Sequence, residues 1–185
     1  MKTALFALAL SISLPVFAQQ HQHQAAAQEV PSTVPPHHTA SPYAGQQTRA
    51  IKALSEQQTA DLRAGKGMAL ALPAELNGYP GPAHVLELAQ LLKLSDEQTR
   101  NTQTLMQQMQ AETRALGEAV IAGESALDRL FRDKSASLAS VQDATDNAAR
   151  AQGRLRAAHL KYHLGMLEIL TPAQIDLYGR LRGYQ

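Results

Sequence analysis

The sequence predicts an all-α protein built on a long antiparallel helical hairpin with additional shorter helices. Three observations carry that prediction. Apolar residues recur at three-, four- and seven-residue spacing over two long stretches, residues 96–133 and 138–169, which is the period of a helix and not of a strand. Boxes of the form Ser/Thr-x-x-Gln stand ahead of periodic stretches, where a hydroxyl and a glutamine can cap a helix start reciprocally. Ala, Leu and Gln dominate the composition, with 4% aromatic residues and neither Trp nor Cys, so thin helical packing has to supply the stability that rings and disulfides do not.

The chain opens as an exported protein does. Residues 1–18 read as a signal peptide, with Lys2 as the positive end, an apolar run over residues 4–14 and the small-residue cleavage site Val16-Phe17-Ala18. That run is shorter than the roughly 20 residues of a spanning helix. Cleavage after Ala18 is therefore expected, leaving a mature chain in the periplasm without a transmembrane anchor. The mature chain would carry 16 basic and 16 acidic residues, a balance that asks for no nucleic-acid partner. Residues 19–43 are mostly Gln, His, Pro, Ala and Ser and bury too little surface to offset the entropy of ordering them. They are expected to form a disordered tail, in which His21, His23, His37 and His38 suit loose metal capture. A single α-helical domain would then occupy residues 44–185.

Within the domain, helical periodicity is expected from residue 46 through Ile51, Leu54 and Leu62, ending at Gly65 and Gly67. Residues 65–82 read as a connector, with a turn at Asn77-Gly78-Tyr79-Pro80-Gly81-Pro82. A short helix over residues 83–92 follows, with Val85, Leu88 and Leu92 to pack. The first long helix, from residue 96 to about 133, carries Leu105, Met109, Leu116, Val120, Leu127 and Phe131 on a stripe. Residues 134–137 are short enough to make its successor an antiparallel neighbour. That second helix, residues 138–169, presents Leu138, Val141, Ala148, Leu155, Tyr162 and Met166. A last helix from Pro172 to about residue 182 presents Ile175, Tyr178 and Leu181. Because many interface positions are Ala, each helix buries little area, and the deficit favours a homodimer.

Two boxes match closely: Leu94-Ser95-Asp96-Glu97-Gln98 and Leu170-Thr171-Pro172-Ala173-Gln174, with a looser third at Leu54-Ser55-Glu56-Gln57-Gln58. In the second, Pro172 takes the first helical position, where its missing N–H costs nothing, and Leu170 can staple onto Ile175. The pair, carried by Leu94, Ser95, Gln98, Leu170, Thr171 and Gln174, resembles the LTxxQ motifs of the Spy/CpxP family of periplasmic stress proteins. That family includes zinc-resistance-associated proteins and CnrX-type heavy-metal sensors. The resemblance covers roughly residues 45–185, and the first copy has Ser where the motif has Thr. It implies a bent helical hairpin that dimerises into a cradle, with the motifs at helix junctions. It also implies ATP-independent binding of unfolded periplasmic proteins, or of a sensor-kinase-type partner, in envelope stress.

Two constellations could carry function. His159 and His163 lie one turn apart on one helical face, about 6 Å from each other, and could chelate Zn, Cu, Ni or Co. Met166 could add a thioether, and His84, a carboxylate or another protomer the further ligand. By resemblance, CnrX-type sensors use a His-x3-His pair of this kind, but with a membrane anchor. The second constellation is the mixed basic and apolar surface that the resemblance implies for client binding: Arg150, Arg154, Leu155, Lys161 and Leu164, with Met106 and Met109 as adaptable apolar groups. No cofactor is required by either reading. The chain shows no Gly-x-Ser-x-Gly elbow, phosphate-cradling loop or His-Glu-x-x-His motif, and an enzyme is not expected.

Overall fold

The computed structural model describes residues 40–184. Every described helix lies in one compact unit, Ser41–Gln185. The expected signal peptide, its cleavage site and the tail up to residue 39 lie outside the described residues. After a 3₁₀ turn at Gln46–Thr48 come α1 (Glu56–Ala64), α2 (Leu72–Glu75), α3 (Pro82–Glu87), α4 (Asp96–Arg132), α5 (Leu138–Met166) and α6 (Pro172–Leu181). Among the described residues there is no strand. Helices α4 and α5, of 37 and 29 residues, pack antiparallel as the hairpin, α1 lies along α4, and α2, α3 and α6 gather at the open end of the hairpin.

Four helices start with the same device. Ser55, Ser95, Ser137 and Thr171 are extended N-caps whose hydroxyls accept from the amide three residues on, while Gln58, Gln98, Ser140 and Gln174 reach back to the cap amides. The chain then leaves most helices through one left-handed residue and a closing i to i−5 hydrogen bond. Gly65, Gly78 and Gly183 fill that position after α1, α2 and α6. Lys93 and Lys134 fill it elsewhere, each with positive φ.

The structure departs from expectation at several points. The helix expected from residue 46 begins only at Glu56, because Gly45 is left-handed and the cap at Ser55 must be extended for its hydroxyl to reach the helix. Ile51 and Leu54 nonetheless pack against the core as their spacing suggested. The connector contains α2, and the short helix expected to residue 92 is regular only to Glu87, continuing in hydrogen-bonded turns until Lys93 reverses it. Phe131 is 55% exposed and Leu138 is 87% exposed, although both were expected on packing stripes. They stand at the hairpin tip, beyond the reach of α1.

The core falls into two clusters. One, at the open end, joins Val85, Leu92, Met166, Leu170 and Tyr178; the other, along the hairpin, joins Leu62, Val120, Ile121 and Leu155. Small residues set the spacing, since a Cβ on Gly117 would stand 2.2 Å from the Leu62 carbonyl oxygen and one on Gly123 would stand 3.0 Å from the Ala148 Cα. Thr102 and Thr113, absent from the expected stripe, are fully buried because their hydroxyls bond back to the Gln98 and Met109 carbonyls. Thr113 also donates to Gly65, tying the end of α1 to α4.

Candidate functional site

The two LTxxQ-like boxes are 76 residues apart in the chain and meet at the open end of the hairpin. Each glutamine first caps its own helix: Gln98 Oε1 accepts from Ser95 N at 3.0 Å and Gln174 Oε1 from Thr171 N at 3.0 Å. The amide nitrogens then cross over. Gln98 Nε2 donates to Gln174 Oε1 at 2.8 Å and to the Ile169 carbonyl at 2.9 Å. Gln174 Nε2 donates to Gln98 Oε1 at 3.1 Å and to the Leu92 carbonyl at 3.2 Å. Leu170 drops into the core below and Leu94 packs at its edge, with Ile175 beside them. Gln58 makes the cap at α1 without any such crossing.

Beside this junction lies a polar centre that sequence reasoning missed. Glu75 on α2 is 5% exposed, and a carboxylate that deep requires partners. Its Oε1 accepts from the Tyr178 hydroxyl, from the Tyr184 hydroxyl at 3.2 Å and from His84 Nδ1 at 3.0 Å. Its Oε2 accepts from the Gly81 amide at 3.2 Å. Arg182 Nε and His163 Nδ1 stand at 3.8 and 3.7 Å. Burial, reinforced by the bond to Glu75, pushes the Tyr178 phenol far above its ordinary range, so it stays protonated and donates. The centre thereby joins α2, α3, α5 and α6. Nothing in the local sequence marks it, because Glu75 stands in a Pro- and Gly-rich stretch that reads as a connector.

The expected metal ligands take separate places. His159 and His163 are both buried on α5. His163 Nδ1 donates to the Tyr79 carbonyl at 2.7 Å, which leaves Nε2 as the ring's lone-pair nitrogen in the neutral form. Burial, and then the neighbouring His163, hold the His159 imidazole below its ordinary value, and its Nε2 has no hydrogen-bond partner among the described residues. Met166 is enclosed in the apolar cluster, and His84 is engaged with Glu75. Among the described residues no three His, Asp or Glu side chains converge to hold an ion.

The client-binding set also divides. Leu155 and Met109 face inward as core residues and are withdrawn from the surface, and Met106 is half-buried. Arg150, Arg154, Lys161 and Leu164 are exposed, and their spacing keeps them on one side of α5. They flank two shallow cavities between the long helices, of about 420 Å³ over Leu116, Ala119 and Gly123 and about 360 Å³ over Leu105 and Gly165. Lys161 is held by Glu112, which also accepts from the Tyr162 hydroxyl at 2.7 Å. These bonds, Lys161 first, hold the Glu112 carboxyl below its usual range. Arg150 and Arg154 have no carboxylate within 4 Å among the described residues, so their charge faces solvent. Comparison of the chain with protein-family models, with curated proteins and with solved structures gives no match.

Proposed function

We propose that this chain is a periplasmic helical protein that binds exposed segments of unfolded or partner proteins without nucleotide, as the Spy/CpxP resemblance implies. The observation that carries the reading is the open side of the hairpin, where the free charges of Arg150 and Arg154 border one shallow cavity over Leu116, Ala119 and Gly123, and the 57% exposed Leu164 borders a second over Leu105 and Gly165. An unfolded segment offers apolar side chains and carboxylates together, and long basic side chains over an apolar floor can meet both weakly and adaptably. The exposed Phe131 and Leu138 at the tip support the homodimer that belongs to the same reading. The test is suppression of aggregation of reduced α-lactalbumin by the purified protein and by an Arg150→Glu/Arg154→Glu variant. Suppression by the parent that weakens several-fold in the variant supports the proposal, and equal suppression by both, or none by the parent, rejects it.

A second reading, metal buffering or sensing, is supported by the buried His159, whose Nε2 has no hydrogen-bond partner among the described residues, one helical turn before the buried His163 on α5. Two imidazoles from each of two chains could complete a site for Zn, Cu, Ni or Co. Isothermal titration with each ion separates the readings. Saturable micromolar binding that is abolished in His159→Ala/His163→Ala, while aggregation suppression persists, would make metal a separate activity.

A further inference from the structure

A further cavity lies on the other side of α4, against α1 and the turn before it, and neither reading above uses it. It measures about 740 Å³, within the roughly 300–1,000 Å³ of small-molecule sites. Its floor is apolar, from Ile51, Leu54 and Ile121, and three arginines, Arg49, Arg63 and Arg114, line it against one acid, Glu56. Arg63 is neutralised by Glu118 at 3.2 Å. Arg49 and Arg114 are not: Arg114 Nε donates to the Ala64 carbonyl at 3.4 Å and Arg49 Nη1 to the Lys52 carbonyl at 3.5 Å, and neither has a carboxylate within 4 Å among the described residues. Arg49 also lines a second cavity, of about 570 Å³, with Tyr43, Gln46, Gln47, Lys52 and Ala53.

From this arrangement we propose that the cavity is a binding site for a long-chain fatty-acid anion, its carboxylate on Arg49 and Arg114 and its hydrocarbon chain over Ile51, Leu54 and Ile121. The two halves of the lining exclude simpler occupants. A bare inorganic anion has no use for the apolar floor, and a neutral hydrocarbon has none for two unneutralised guanidinium groups, whose planar forks match a carboxylate. A folded protein partner needs about 800 Å² of matched surface, more than an inset cavity offers. The site stands on the opposite side of α4 from the Arg150 and Arg154 groove, so the two can be tested apart.

The experiment is isothermal titration of the full mature chain, below the micellar range, with laurate, myristate, palmitate and hexadecanol. Saturable 1:1 binding is expected, strengthening by up to about fourfold per methylene until the cavity is filled and then levelling off. Hexadecanol should bind at least tenfold more weakly than palmitate. Arg49→Glu/Arg114→Glu should cost palmitate at least tenfold, and Arg49→Gln/Arg114→Gln serves where the reversal impairs folding, judged by circular dichroism. Arg150→Glu/Arg154→Glu should leave palmitate binding unchanged. Absence of saturable binding, equal binding of the alcohol, or indifference to both Arg49/Arg114 pairs overturns the proposal, as does loss of binding in the Arg150/Arg154 variant.

Discussion

Replacing Gln98 by Glu separates its two jobs. The variant keeps the oxygen that accepts from Ser95 N, so the α4 cap survives, and a negative charge in the first turn adds about 0.3–1 kcal/mol through the helix dipole. What it loses is Nε2, which donates both to the Ile169 carbonyl and to Gln174 Oε1. Two hydrogen bonds contribute about 1 kcal/mol each, and the stranded Ile169 carbonyl costs a further ~1–3 kcal/mol. Against this, Gln174 Nε2 still donates to the new carboxylate, and more strongly. The net loss at pH 7 is expected to be roughly 1–3 kcal/mol, or about 3–10 °C in Tm for a domain of this size. The control is Gln58→Glu, which changes the same box at α1 where no crossing bond exists, and which should be neutral or slightly stabilising. Thermal and urea unfolding followed at 222 nm measure both. Below about pH 4 the variant carboxyl regains a proton to donate, so its deficit should shrink there relative to the parent. If Gln98→Glu unfolds with the parent and with Gln58→Glu, the glutamines are caps and nothing more, and the junction argument fails.

Three further outcomes follow from the packing and the charges. Glu75→Ala leaves the Tyr178 hydroxyl and the Gly81 amide unpaired in the interior and should cost about 3–5 kcal/mol in urea unfolding, with Glu75→Gln intermediate; a loss under 1 kcal/mol would mean the centre is not structural. Gly117→Ala places a methyl on the Leu62 carbonyl and should lose roughly 2 kcal/mol with faster amide exchange in α1, whereas Gly153→Ala, with nothing within 4 Å, should gain about 0.5–1 kcal/mol. Because burial lowers the His159 pKa in the folded state, the unfolded chain takes up its proton first as pH falls below about 6.5. Stability from this residue is complete above that value and declines below it. His159→Leu should flatten the fall in urea midpoint between pH 7.5 and 5.5, and an unchanged slope would refute the assignment.

What the sequence determined by itself is local. Repeats of three, four and seven residues in one stretch commit α4 and α5 to helix, and Ser55, Ser95 and Thr171 with their glutamines mark three helix starts to the residue, because capping bonds span only three positions. The same local logic misled at residue 46, where Ile51 and Leu54 keep helical spacing in a segment whose backbone is turned by Gly45 and extended at Ser55. Tertiary structure decided everything that depends on a distant partner. Gln98 and Gln174 look like equivalent caps to Gln58 until α6 returns beside α4 and supplies each with the other. Glu75 acquires its role from tyrosines more than a hundred residues away, and Leu155, neighbour in sequence to Arg154, is removed from the surface by Leu62, Val120 and Ile121 while Arg154 stays on it. Hydrogen bonds between near neighbours are written in the order of the residues, whereas burial depends on which faces the folded chain brings against one another.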